Sequence, residues 1–78
     1  MDLIQHMRRL FAERNPDEMD IRLRVTYQDG TVLTGKYTAL VGPLDNEPEI
    51  AEIDFYRDDN GALTGAYEDE LADVEIME

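Results

Sequence analysis

The chain of 78 residues contains no cysteine and no serine, and His6 is its only histidine. Without cysteine, neither a disulfide nor a thiolate metal centre can form, and this fits a reducing compartment. Without serine or cysteine, and with one histidine, the usual nucleophile–base pairs of covalent catalysis cannot be assembled. No apolar run approaches the length needed to cross a bilayer, and the first residues carry no long apolar stretch of the signal-peptide kind. These absences predict a cytoplasmic, non-enzymatic protein with no membrane partner. Gly61 and Gly65 are separated by Ala-Leu-Thr with no lysine following, so no phosphate-cradling loop is present. Setting Gly61 as the sixth position of a calcium loop puts Tyr56 first and Tyr67 twelfth, and neither can ligate there. No cofactor and no metal are expected, although Asp58, Asp59 and Glu68 leave weak divalent-ion binding open.

Basic residues are scarce in one half only. From Met1 to Leu40 six acids face six bases, whereas from Val41 to Glu78 thirteen acids face Arg57 alone. The whole net charge of −12 therefore belongs to the second half. Such a chain is repelled by phosphate backbones, which argues against nonspecific nucleic-acid binding. Acidic surfaces also serve solubility alone.

What is present is a strand pattern. Ile21, Leu23, Val25 and Tyr27 alternate with Arg22, Arg24, Thr26 and Gln28, giving one buried and one wet face. Asp29-Gly30 is a hairpin signal, because glycine accepts the positive φ of a tight turn. On the return, Leu33, Gly35, Tyr37 and Ala39 share one face; Val32, Thr34, Lys36, Thr38 and Leu40 share the other. Gly35, inside a strand, predicts a bulge or bend. Upstream, Asp2 and Gln5 have capping-box spacing, and Leu3, Ile4, Met7, Leu10 and Phe11 form an apolar helical stripe ended by Asn15-Pro16. That stripe covers an open end or face of the strands, or else meets a partner protein.

Downstream, Gly42 to Pro48 is loop chemistry, and Ile50–Arg57 reads as a third strand with Ala51, Ile53 and Phe55 on one face. Asp58-Asp59-Asn60-Gly61 is a turn, Ala62–Tyr67 a weak fourth strand, and Glu68–Leu71 a single helical turn. Val74 and Ile76 alternate with acids in a last short strand. The expected class is mainly β: one domain over residues 1–78, with a helix over about 2–14 and a five-stranded, strongly bent small barrel over about 20–78. Closure would remove exposed strand edges.

This order resembles the Sm-like, SH3-like small barrel. The resemblance rests on Val25, Tyr27, Asp29, Gly30, Leu33, Gly35 and Tyr37 for the family's first motif. Glu70-Leu71-x-x-Val74-x-Ile76 is similar to the turn and last strand of its second. Sm and Hfq proteins bind RNA through polar and basic loop residues of both motifs. Here the second motif reads Tyr67-Glu68-Asp69-Glu70-Leu71, with neither an Arg-Gly nor a Lys-His pair, and Asp45-Asn46 is displaced behind Gly42-Pro43-Leu44. In plan and charge the chain is also similar to Rof-type inhibitors of the Rho termination factor, which act by protein contact.

Three functional expectations follow. The first is a non-catalytic protein-interaction module that self-associates through strand edges. The second is an acidic regulator that occupies the basic surface of a nucleic-acid-binding protein, with Glu47, Glu49, Glu52, Asp54, Glu68, Asp69 and Glu70 as candidate contacts. The third, ranked last, is RNA binding of the Sm type through Arg22, Arg24 and Lys36.

Overall fold

The alternation and stripe described above settle into one helix and one antiparallel sheet in a computed structural model, which describes residues 1–14 and 20–77. Helix α1 spans Leu3–Arg14 and is followed by β1 (Arg22–Tyr27), β2 (Val32–Val41), β3 (Glu52–Arg57), β4 (Leu63–Tyr67) and β5 (Leu71–Met77). Two single-turn 3₁₀ helices, Pro43–Asp45 and Glu68–Glu70, punctuate the connections. The expected Asn15-Pro16 helix stop lies outside the described residues.

The strand order is β4-β3-β2-β1-β5, every neighbouring pair antiparallel. The register explains the core. Leu23 sits between Gly35 and Ile76, and Val25 between Leu33 and Val74, so apolar positions of three strands coincide on one face. Ile53 and Phe55 join them from β3, Ala66 from β4 and Leu71 from β5; all are buried. Burying a side chain of this size contributes about 1.5–3 kcal/mol relative to leaving it in water. The radius of gyration is 11.7 Å, close to the ~11.5 Å expected of a compact chain of this length.

The helical stripe covers this sheet. Leu3 and Met7 are fully buried in the same cluster, with Ile4, Leu10 and Phe11 packed against it. Phe11 meets Tyr37 edge-on at a centroid distance of 5.5 Å. His6 Nε2–H donates to the Val74 carbonyl at 2.7 Å, and Arg14 donates to the Ile76 carbonyl at 2.8 Å, so α1 lies along β5.

Two expectations about β2 need correction. Pairing runs without interruption through Gly35, from Leu23 on one side to Arg57 on the other, so no bulge lies there. Glycine is required for close approach instead: a Cβ at position 35 would lie 2.8 Å from Phe55 Cδ2 and 2.9 Å from the Tyr56 carbonyl carbon, with its oxygen nearer still. The irregularity comes three residues later. Tyr37 pairs with Phe55 and Leu40 with Ile53, three residues on β2 against two on β3. The extra residue reverses the alternation, and Leu40 joins Tyr37 against the core although strict period two places them on opposite faces. The architecture is otherwise the expected mainly-β one, a helix followed by five antiparallel strands in a small barrel-like sheet, in which β4 and β5 are the terminal strands, joined in sequence by the Glu68–Glu70 turn and sharing no ladder among the described residues.

Candidate functional site

The Asn46–Asp54 segment and the Glu68–Glu70 turn meet at one end of the β3–β4 ladder. Glu52 lies opposite Tyr67, Asp54 opposite Gly65, and the Glu68 amide donates to the Ala51 carbonyl at 2.9 Å. The seven predicted contact residues therefore gather from two separate stretches of chain, but they are not equivalent.

Glu47, Glu49 and Asp69 are exposed and form no ion pair with a described residue. Glu68 is spent on the fold: its Oε2 accepts the Leu3 amide at 2.8 Å, satisfying one of the orphan donors at the start of α1. Asp2 caps the same end, its Oδ1 accepting the Gln5 amide at 3.1 Å. Glu70 closes its own 3₁₀ turn by accepting the Tyr67 amide.

Glu52 and Asp54 are two residues apart on β3 and so project from the same face of the strand, opposite to Ile53. Asn46 Nδ2 donates to Glu52 Oε1 at 3.1 Å and to the Ile50 carbonyl at 2.9 Å, tying the loop to the pair. The bond to the Asp54 carboxyl, followed by the donors Asn46 and Tyr67, holds the Glu52 carboxyl below its ordinary range against the opposing effect of burial. Asp54 goes the other way. Desolvation, then its bond to Glu52 and the Glu52 charge, push it up to about 6. Its Oδ1 is buried and has no donor among the described residues. Asn46, Gly65 and Tyr67 were not singled out from the sequence as parts of a site; only the Asp-Asn loop and the weak strand were legible there.

The basic residues named for RNA contact are largely engaged. Arg22 pairs with Asp58, which also accepts the Thr34 hydroxyl. Arg24 pairs with Glu75 at 2.6 Å. Lys36 is exposed and makes no ion pair with a described residue. The three acids considered for a divalent ion are likewise directed to different partners: Asp58 to Arg22, Asp59 to Arg57 at 2.6 Å, and Glu68 to the Leu3 amide. Among the described residues no three His, Cys, Asp or Glu side chains gather as a metal-binding group.

Elsewhere, an open groove of about 440 Å³ runs between α1 and the loop after β2, lined by Ile4, Arg8, Leu40, Gly42, Pro43, Leu44 and Asp45. It contains none of the seven acids. No helix among the described residues is long and apolar enough to cross a membrane. No family model, curated protein or solved structure matches the chain.

Proposed function

We propose that the chain is a non-catalytic protein-interaction module of Sm-like barrel form, acting in the cytoplasm and associating with itself or another chain through its sheet edges. The observation that carries this reading is the strand order, in which one side of β4 and one side of β5 have no ladder partner among the described residues. Unpaired strand edges are templates for another strand. On the β3–β4 side of the sheet, Tyr56 and Leu63 are paired across the ladder, and they are 48% and 58% exposed. Aromatic and aliphatic side chains in that position suit the centre of a contact. Size-exclusion chromatography with light scattering across a hundredfold concentration range tests the self-association clause. A mass that stays at 9.0 kDa throughout removes it.

A second reading is favoured by the charge layout. Glu47, Glu49 and Asp69 stand unpaired among the described residues while Arg22, Arg24 and Arg57 are neutralised within the chain. Around Glu47, Glu49 and Asp69 that leaves acids without a described cation partner, suited to the basic face of a nucleic-acid-binding protein. Such binding weakens steeply with salt. Affinity purification at two salt concentrations separates this reading from the first, since strand addition depends on backbone hydrogen bonds and apolar burial. Partners that are acidic, or indifferent to salt, exclude it.

A further inference from the structure

Asp54 Oδ1 raises a question that the contact reading does not answer. It is a buried oxygen with no hydrogen-bond donor among the described residues, although a buried acceptor left unmatched is costly. The position that a Cβ would occupy on Gly65 lies 3.1 Å from this oxygen and 2.5 Å from Glu52 Oε2. The two carboxyl oxygens thus converge in a notch that exists because residue 65 has no side chain. Two carboxylates offer four acceptors and no donor; one proton between them supplies the missing hydrogen bond.

We propose that Asp54 and Glu52 share a proton over Gly65, and that this proton fixes the Glu52 carboxyl opposite Tyr67 of β4, so that the edge strand is held to β3 through the Tyr67 hydroxyl. The proton resides on Asp54, because Glu52 already receives Asn46 Nδ2 and the Tyr67 hydroxyl and is the better-solvated anion of the two. The charged and titratable groups around the pair support this assignment. From β3 itself comes Glu52. From β4 comes the Tyr67 phenol, a donor to Glu52. From β2 come the Tyr37 phenol, itself raised by burial and then by the Asp54 charge, and Lys36, which lies opposite Tyr56 two residues along β3. Thr38 Oγ1 donates to the Asp54 carbonyl and leaves the carboxyl alone. No cation contributes to the upward displacement of Asp54.

When the proton leaves, two like charges face each other in the notch, and the favourable response is for Asp54 to swing to solvent. Glu52, no longer tied to Asp54, loses its fixed place opposite Tyr67, and the edge strand loosens while the β1–β5 side keeps its pairing. Because β4 is an edge, its freedom is the part of the sheet a change near neutral pH reaches most directly.

The experiment is a carbon-detected carboxyl titration of the whole chain from pH 3 to 8, with amide exchange followed over the same range and expressed as protection factors. The expected result is an Asp54 midpoint near 6 instead of the ordinary 3.8, with Glu52 ionising well below it. Protection along β4 should fall through that midpoint several-fold more than protection along β1 and β5. D54N, whose amide can donate to Glu52 in place of the acid, keeps β4 protected at every pH. E52Q moves the Asp54 midpoint down toward the ordinary range but leaves it raised, because burial, the largest cause of the displacement, remains. An Asp54 midpoint near 4 overturns the shared proton. β4 protection that falls no more than that of β1 and β5 across the midpoint, or the same pH-dependent loosening in D54N as in the parent chain, overturns the hold on β4. None of these readouts depends on a partner, so they stand apart from the tests of the proposed function.

Discussion

Replacing Gly35 by alanine tests the central claim about how β2 meets β3. The added methyl would stand 2.8 Å from Phe55 Cδ2 and 2.9 Å from the Tyr56 carbonyl carbon, where ordinary contact begins at 3.4 Å. The Tyr56 carbonyl is backbone in a paired strand and cannot rotate away as a side chain could. Relief requires β2 and β3 to part by on the order of 1 Å, which takes ladder hydrogen bonds near 2.9 Å to the limit of useful length. Two such bonds lost at about 0.5–1.5 kcal/mol each, with overpacking against Phe55 at about 1–3 kcal/mol, give a destabilisation of about 2–6 kcal/mol. A small domain whose total stability is on the order of 5–10 kcal/mol would retain only part of it. Gly42 is the matched control. Its φ is −71° and a Cβ there meets nothing within 4 Å, so alanine should be neutral or stabilise by up to about 1 kcal/mol through the unfolded chain. Urea unfolding followed by circular dichroism measures both. If G35A lies within about 1 kcal/mol of the parent, or if the two glycines respond alike, the close-approach argument is wrong.

Other consequences are open to the same assay. Phe55, fully buried at the centre of β3, should cost about 3–5 kcal/mol on truncation to alanine, and a loss under 1.5 kcal/mol would mean that the core is not centred there. Arg24→Ala removes a half-exposed pair with Glu75 and should change the urea midpoint by less than about 1 kcal/mol equivalent; a larger loss would show that the aliphatic stem, not the charge, carries the contact. Stability against pH should have two limbs of opposite sign. Asp29, Asp58, Asp59 and Glu75 are held below their ordinary range, by the Thr31 amide, by the Thr34 hydroxyl and then Arg22, by Arg57, and by Arg24 respectively. What they contribute is present above pH ~4 and lost as pH falls below it. Asp54 is displaced upward to about 6, so the folded state binds the extra proton and stability falls as pH rises from ~4 to ~6. Discounted for partial exposure and for the opposing shift of Glu52, that limb is on the order of 1 kcal/mol. The urea midpoint should therefore peak near pH ~4–5; a maximum above pH 7 contradicts the Asp54 limb.

The elements themselves were legible because each rests on local chemistry. Leu3, Met7, Leu10 and Phe11 recur at helical spacing, Leu23 and Val25 alternate, and the Asp29-Gly30 and Asn60-Gly61 turns supply the positive φ found at Gly30 and Gly61. Strand ends moved by a residue or two, and β5 begins at Leu71, earlier than the Val74–Ile76 alternation shows. The face of Leu40 was not legible, since one inserted residue in β2 reverses every later side chain and nothing local marks Thr38 as the bulge. The candidate site was legible only as an acidic composition. Which acid stays free and which is consumed depends on partners far along the chain: Glu68 accepts the amide of Leu3, 65 residues away.

By itself, the sequence determined the helix, the five strands, the hairpin turn and the uneven charge, because these follow from side-chain periodicity, glycine torsions and residue counts. Only the tertiary structure decided that β4 and β5 are the terminal strands of the sheet, that Gly35 is there for contact with β3, and that Asp54 and Glu52 converge over Gly65. Each of those depends on inter-strand register. Register brings residues within a few ångströms that sequence separation leaves unrelated, and at that range packing and desolvation outweigh local preference.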